Sequence, residues 1–200
     1  SVSMETLLKA TLTNAKGEKI NGEELRGKLV AIYFSAHWCP PCRGFTPQLV
    51  KFYNEAVKKH DNFELVFVSS DKSQNEMESY MKDTNMPWLA LPFDDSDRKF
   101  KLSNHFSVRG IPSLAVVSPE GQTVTTTARG DVSQHSVDEV MQAWKAGRGL
   151  VKSDGPGVRE FWSVTDPVQF NPVMALLLCF VLYKLYQRFF GAQTEGDTLW

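Results

Sequence analysis

The chain has 200 residues, a formal net charge of -1 and a 42% hydrophobic share, which suits one ordinary domain of about 100–200 residues plus an appendage. Its near-neutral charge gives no footprint for nucleic acid, and the hydrophobic share supports a core that needs no covalent staples. Only three cysteines occur, two spaced Cys-X-X-Cys and a third, Cys179, far away, so a secreted disulfide framework is excluded in favour of a reducing compartment and a redox or metal role.

The N-terminus, Ser1-Val2-Ser3-Met4-Glu5, has neither the basic and apolar regions of a secretory signal nor the Arg-rich, acid-poor character of a transit peptide, and Met4 is a candidate natural start. Residues 7–13 read as a strand, 14–17 as a turn and 21–26 as a short helix. Residues 28–35 (KLVAIYFS) are rich in β-branched and aromatic side chains, as expected of a strand buried on both faces. After Pro40-Pro41, the spacing of Phe45, Leu49, Phe52, Tyr53 and Val57 predicts an amphipathic helix. A buried strand at 63–69, a surface helix at 73–82 and another helix at 97–106 come next. Residues 114–117 and 122–127 flank Ser118-Pro119-Glu120-Gly121 as a hairpin, and one helix over 132–146 closes the domain. Alternating strands and helices predict an α/β fold with a central mixed sheet.

The sequence Trp38-Cys39-Pro40-Pro41-Cys42 sits at the junction of a buried strand and an amphipathic helix. There the helix N-terminus stabilises a Cys39 thiolate, and Cys42, one turn on, is within reach of a disulfide. Pro40 and Pro41 are preset for a first helical turn and lack N–H groups that the turn leaves unpaired, while Arg43 adds positive charge. Cys39 is expected to be the exposed nucleophile that attacks a substrate disulfide, and Cys42 the more buried partner that resolves the mixed disulfide. Trp38 is expected to cover the site and touch substrate. Half of a zinc site would need two more ligands, and His37, His60, His105 and His135 show no ligand spacing. An inert disulfide across so short a loop would constrain little of the unfolded chain. No metal is expected. Gly110-Ile111-Pro112-Ser113 precedes a strand, where an ordinary trans proline is the expectation from composition.

The stretch from Phe34 to Pro47 (FSAHWCPPCRGFTP) resembles the active-site segment of tryparedoxins and nucleoredoxins, of the thioredoxin superfamily. Met86-Pro87-Trp88-Leu89-Ala90-Leu91-Pro92-Phe93 and Val108-Arg109-Gly110-Ile111-Pro112-Ser113-Leu114 resemble two further signatures, in the same order. The resemblance covers residues 5–147 and implies a thioredoxin fold with Pro112 cis beside the cysteine pair. It also implies strand-like pairing of the Ile111 backbone with substrate and Arg129 near the substrate's negative groups; from the residues alone, Arg129 equally suits a solvated strand end. It implies a protein-disulfide reductase without a cofactor, recharged by an external dithiol such as trypanothione and passing electrons to disulfide proteins such as peroxiredoxins. The alternative is a nucleoredoxin-like, redox-regulated binding protein reduced by another thiol system. Tryparedoxins usually carry Trp-Asp and an acidic residue after the third strand. Here Ser70-Asp71-Lys72 stands there, closer to nucleoredoxins, and Tyr33 takes the place of the buried Asp of ordinary thioredoxins.

The expected organisation is a thioredoxin-like domain at 1–147, a flexible linker at 148–166, a membrane anchor at 167–190 and a polar tail at 191–200. Residues 173–183 (VMALLLCFVLY) are purely apolar and no charge occurs from 167 to 183. That run is shorter than the ~20 residues that span a bilayer, but Lys184 and Arg188 are long enough to snorkel and lengthen it. Trp162, Tyr183 and Tyr186 suit interfacial positions. A short, basic-flanked C-terminal anchor resembles those of the mitochondrial outer membrane, with the catalytic domain facing the cytosol.

Overall fold

The computed structural model describes residues 2–151, all within one compact unit. Two strands organise it. β3 (Leu29–Ser35) is buried at every position and β4 (Phe63–Ser69) at all but one. They pair in parallel, with Leu29 opposite Phe63 and Ser35 opposite Ser69. A strand buried on both faces needs covering on both, and the alternation of its side chains decides which cover each one meets. Leu29, Ala31 and Tyr33 join the core beneath α2 (Pro40–Lys59), α3 (Gln74–Asp83) and α6 (Val137–Lys145). Val30, Ile32 and Phe34 join the core beneath α1 (Val2–Leu8) and α4 (Ser96–His105).

The other strands complete a mixed seven-stranded sheet in the order β2-β1-β5-β4-β3-β6-β7. β5 (Leu89–Ala90) is parallel to β4, while β6 (Ser113–Val117) runs antiparallel to β3. β6 and β7 (Thr123–Thr125) form the expected hairpin, whose turn places Gly121 at φ 84°. β1 (Thr11–Thr13) and β2 (Lys19–Asn21) form an antiparallel pair at the far edge. A 3-10 turn (Gly22–Leu25) comes after β2, capped by the Asn21 side chain.

Several elements differ from the sequence reading. Residues 7–13 are not one strand: α1 runs to Leu8 and only Thr11–Thr13 is extended. Met4 and Leu7 are spaced as one helical face and are both buried in the core beneath α1. Gly22 packs so closely on the end of this helix that an added Cβ would lie 2.0 Å from the Leu7 carbonyl oxygen. The closing helix expected over 132–146 is two helices, α5 (Ala128–Gln134) and α6, broken at Ser136. Ser136 caps α6 reciprocally with Glu139, a capping box that starts a new helix. Arg129 therefore lies in the first turn of α5 and not at a strand end. β5 was not anticipated.

Residues 148–151, read as the start of a linker, are tied to the domain. Asp131 is fully buried (0% exposed). Its carboxylate accepts the Trp144 indole N–H at 2.8 Å and the backbone N–H groups of Leu150 at 3.1 Å and Val151 at 2.7 Å. The remainder of the expected linker, the apolar stretch at 167–190 and the polar tail lie outside the described residues. Among the described residues no helix is long and apolar enough to cross a membrane.

Removing a buried, charged acceptor leaves its donors unpaired, which costs about 1–3 kcal/mol per group. Asp131→Ala should therefore lower the unfolding free energy by roughly 3 kcal/mol or more, read as a fall in the denaturant midpoint. Asp131→Asn, which keeps one acceptor oxygen, should recover part of the loss. An alanine variant as stable as the parent would show that this carboxylate does not hold the end of the domain.

Candidate functional site

Chain direction assembles the site. Because β3 and β4 are parallel and adjacent, the loops leaving their C-terminal ends lie side by side, and α2 begins from the first of them. Cys39 is the N-cap of α2, with Pro40 and Pro41 as its first two residues and both exposed. The Cys42 backbone N–H points at Cys39 Sγ across 3.3 Å. That donor, the helix dipole and the absence of acidic residues in the first turn of α2 all favour negative charge on Cys39 sulfur once the bond is reduced. In the structure Cys39 and Cys42 are joined as a disulfide.

Both sulfurs are recessed. Cys42 is fully buried, and Cys39, expected to be exposed, is only 4% exposed. They pack with Ala36 and with the half-buried Ile111. The Ile111–Pro112 bond is cis, and the Ile111 carbonyl oxygen lies 3.7 Å from Cys39 Sγ. Arg129 reaches the same loop: its Nη1 donates to the Pro112 carbonyl at 3.5 Å. Trp38 is 53% exposed, and its indole N–H donates to the Ser70 carbonyl at 3.0 Å. Trp38, Cys39, Pro40, Pro41, Cys42, Ile111, Pro112 and Arg129 thus gather at one end of the sheet.

The sequence reading named Asp71 and Tyr33 only as family positions and did not anticipate the polar contacts that hold this end together. The Asp71 carboxylate accepts the His37 backbone N–H at 2.7 Å and the Ser69 hydroxyl at 2.8 Å, which fixes the loop entering Trp38-Cys39. The His37 ring stacks on Tyr80, centroids 5.3 Å apart, with its Nε2 3.9 Å from the Asp83 carboxylate. Behind Cys42, Thr46 Oγ1 donates to the Cys42 carbonyl at 2.9 Å. Its single proton is then committed, so Tyr33 (2.9 Å) and Tyr80 (2.5 Å) donate to Thr46, and Ser35 donates to Tyr80 at 3.0 Å. Burial, and next the nearby Tyr80, hold the Tyr33 phenol well above its ordinary range, so it stays protonated. Among the described residues no group of His, Cys, Asp and Glu side chains is arranged to hold a metal.

Comparison with known proteins agrees with this geometry. A family model described as thioredoxin-like matches residues 27–123. The chain is 50% identical over 122 residues to Probable nucleoredoxin 1 of Arabidopsis thaliana, covering 61% of this chain and 21% of that protein. Native tryparedoxin I from Crithidia fasciculata superposes with a TM-score of 0.60 at 42% identity, covering 67% of this chain and 92% of that one. A tryparedoxin II, solved in complex with glutathionylspermidine, gives 0.59 at 37% identity, covering 67% and 92%. The chain thus spans about a fifth of the nucleoredoxin but nearly all of each tryparedoxin. The mixed sheet and its flanking helices are a thioredoxin fold, in which the cysteine pair is itself the redox group and no cofactor is used. From the fold, the paired cysteines and these likenesses together, the chain belongs to the thioredoxin-like family, in the group formed by tryparedoxins and nucleoredoxins.

Proposed function

We propose that the protein is a protein-disulfide reductase in which Cys39 is the nucleophile and Cys42 the resolving thiol. The observation that carries this reading is the Cys39 sulfur at the N-cap of α2, facing the Cys42 N–H at 3.3 Å and the Ile111 carbonyl at 3.7 Å. In the reduced protein the Cys39 thiolate attacks one sulfur of a substrate disulfide. A mixed disulfide forms, and the substrate's other sulfur leaves as a thiolate that takes up a proton. Cys42, deprotonated, then attacks Cys39 sulfur and releases the second substrate thiol. Two electrons have passed to the substrate, and the Cys39–Cys42 disulfide remains for an external dithiol to reduce.

Trp38, Pro40 and Pro41 form the exposed surface around the sulfurs, where a substrate makes contact. The Ile111 backbone pairs with an extended substrate segment beside cis Pro112, and Arg129 braces that loop through the Pro112 carbonyl. Peroxiredoxins are one class of disulfide protein that suits such a surface.

The tryparedoxin likeness points to trypanothione, a cationic dithiol, as reductant. A specific observation favours the second reading, a nucleoredoxin-like protein recharged by another thiol system. The acidic group next to the site, Asp71, is buried with its oxygens engaged by His37 and Ser69, and the neighbouring position is Lys72. The 50% identity to a nucleoredoxin supports the same choice.

An insulin-reduction assay supplied in turn with trypanothione and with thioredoxin reductase tests both points. Turnover is expected with the reductase system and little with trypanothione; the reverse would restore the tryparedoxin reading. Cys39→Ser should abolish turnover, a loss of at least ~1000-fold for removal of a covalent nucleophile, whereas Cys42→Ser should accumulate mixed disulfides visible by mass spectrometry. Adducts on Cys39→Ser and none on Cys42→Ser would reverse the two roles.

The segment 167–190 is proposed as a membrane anchor, with the redox domain in the cytosol. Its support is the uncharged run from 167 to 183, ending at Lys184 and Arg188, a pattern whose apolar side chains gain roughly 1.5–3 kcal/mol each on leaving water. On cell fractionation the full chain should pellet with membranes and resist carbonate extraction, while a chain ending at Gly157 stays in the supernatant. A full chain found wholly in the supernatant refutes the anchor.

A further inference from the structure

We infer that this site selects disulfides flanked by negative charge, in particular disulfides within acidic peptide segments, an inference that rests on the reductase reading above. Four cations lie on the segments that frame Cys39. Arg43 donates its backbone N–H to the Cys39 carbonyl at 3.1 Å. Arg129 donates to the Pro112 carbonyl at 3.5 Å. Exposed Arg109 lies two residues before Ile111, whose carbonyl faces Cys39 sulfur. Exposed Lys72 lies two residues after Ser70, whose carbonyl holds the Trp38 indole. Among the described residues none of these four side chains is within ion-pair distance of a carboxylate.

Among the described residues, Asp71 is the one carboxylate on the segments 35–43, 69–72, 108–113 and 127–129 that frame Cys39. Asp71 is buried and accepts from His37 and Ser69, with the Lys99 ammonium close enough to feel its charge. Glu76 accepts the Lys72 backbone N–H at 3.0 Å, and Asp83 faces the His37 ring. On those segments four cations therefore stand against one buried carboxylate, although the whole chain is nearly neutral. Such local asymmetry concentrates anionic partners and speeds their encounter, an effect that falls with ionic strength. With Cys39 recessed, an extended acidic segment lying along Ile111 would bring carboxylates to the segments that carry Arg109, Arg129, Arg43 and Lys72.

The test uses the full-length reduced protein and two synthetic peptide disulfides that differ only in carrying Glu or Lys on both sides of the cysteine. The acidic peptide should be reduced about tenfold faster in kcat/KM at low salt, with the gap closing in roughly 0.5 M salt. The double variant Lys72→Glu, Arg109→Glu should lose or invert that preference. Glutathione disulfide, anionic but without a peptide segment, should be poorer than the acidic peptide; if it is better, the site takes a small thiol and the peptide inference falls. An uncharged small disulfide, reduced by the parent protein and not by Cys39→Ser, tests the reductase reading separately. If that disulfide is reduced but the two peptides are equal, or if the double variant keeps the preference, charge selection is overturned while the reductase reading stands. If no disulfide is reduced, both fall.

Discussion

The parallel pairing of β3 with β4 is the constraint on which the site depends. Parallel neighbours end at the same edge, so the segment after Ser35 and the segment after Ser69 emerge together. Three bonds then cross between them: the Ser70 N–H donates to the Ser35 carbonyl at 2.8 Å, the His37 N–H to Asp71, and the Trp38 indole to the Ser70 carbonyl. An antiparallel arrangement would put those loops at opposite ends of the sheet. The antiparallel partner on the other side, β6, enters the sheet at that same edge, which is how cis Pro112 comes to stand beside a cysteine more than seventy residues earlier in the chain. Position along the sheet, and not proximity in sequence, brings the three segments to one sulfur.

The interior behind the cysteines is polar in an uncommon way. At the position where ordinary thioredoxins carry a buried carboxylate, Tyr33 contributes a phenol linked through Thr46 to Tyr80 and Ser35. This phenol stays neutral because burial disfavours its anion. The hydroxyl cluster satisfies its own members and fixes the first turns of α2 through the Cys42 carbonyl.

Much of this was legible in the residues. The two central strands announced themselves as apolar runs too long for one-sided burial, and the prolines beside Cys39 marked the start of α2. The rest was hidden for physical reasons. α1 resembled a strand because Leu7, Leu8, Leu12 and the threonines fit either period; the helix is favoured by packing of Met4 and Leu7 against a sheet that no local pattern reveals. β5 is two residues long and defined by its neighbours. The break before α6 did carry a signal, Ser136-Val137-Asp138-Glu139, that an unbroken apolar pattern masked. Asp71, Tyr80 and the cations near Cys39 acquire meaning only when distant segments meet.

The grip of Asp131 on residues 150 and 151 bears on where this domain ends and how the rest of the chain is joined to it. A boundary drawn at Gly147, where composition shifts toward glycine, would remove two of the three N–H groups that donate to a fully buried carboxylate. Val151 therefore belongs to the compact unit that carries the redox site. Residues 150 and 151 are fixed against α5, the helix that also carries Arg129 to the Pro112 loop. A mechanical pull on Val151 would load the Thr127 hydroxyl, which donates to its carbonyl at 2.7 Å, and the Asp131 carboxylate, which lie two residues to either side of the arginine that braces the edge of the redox site.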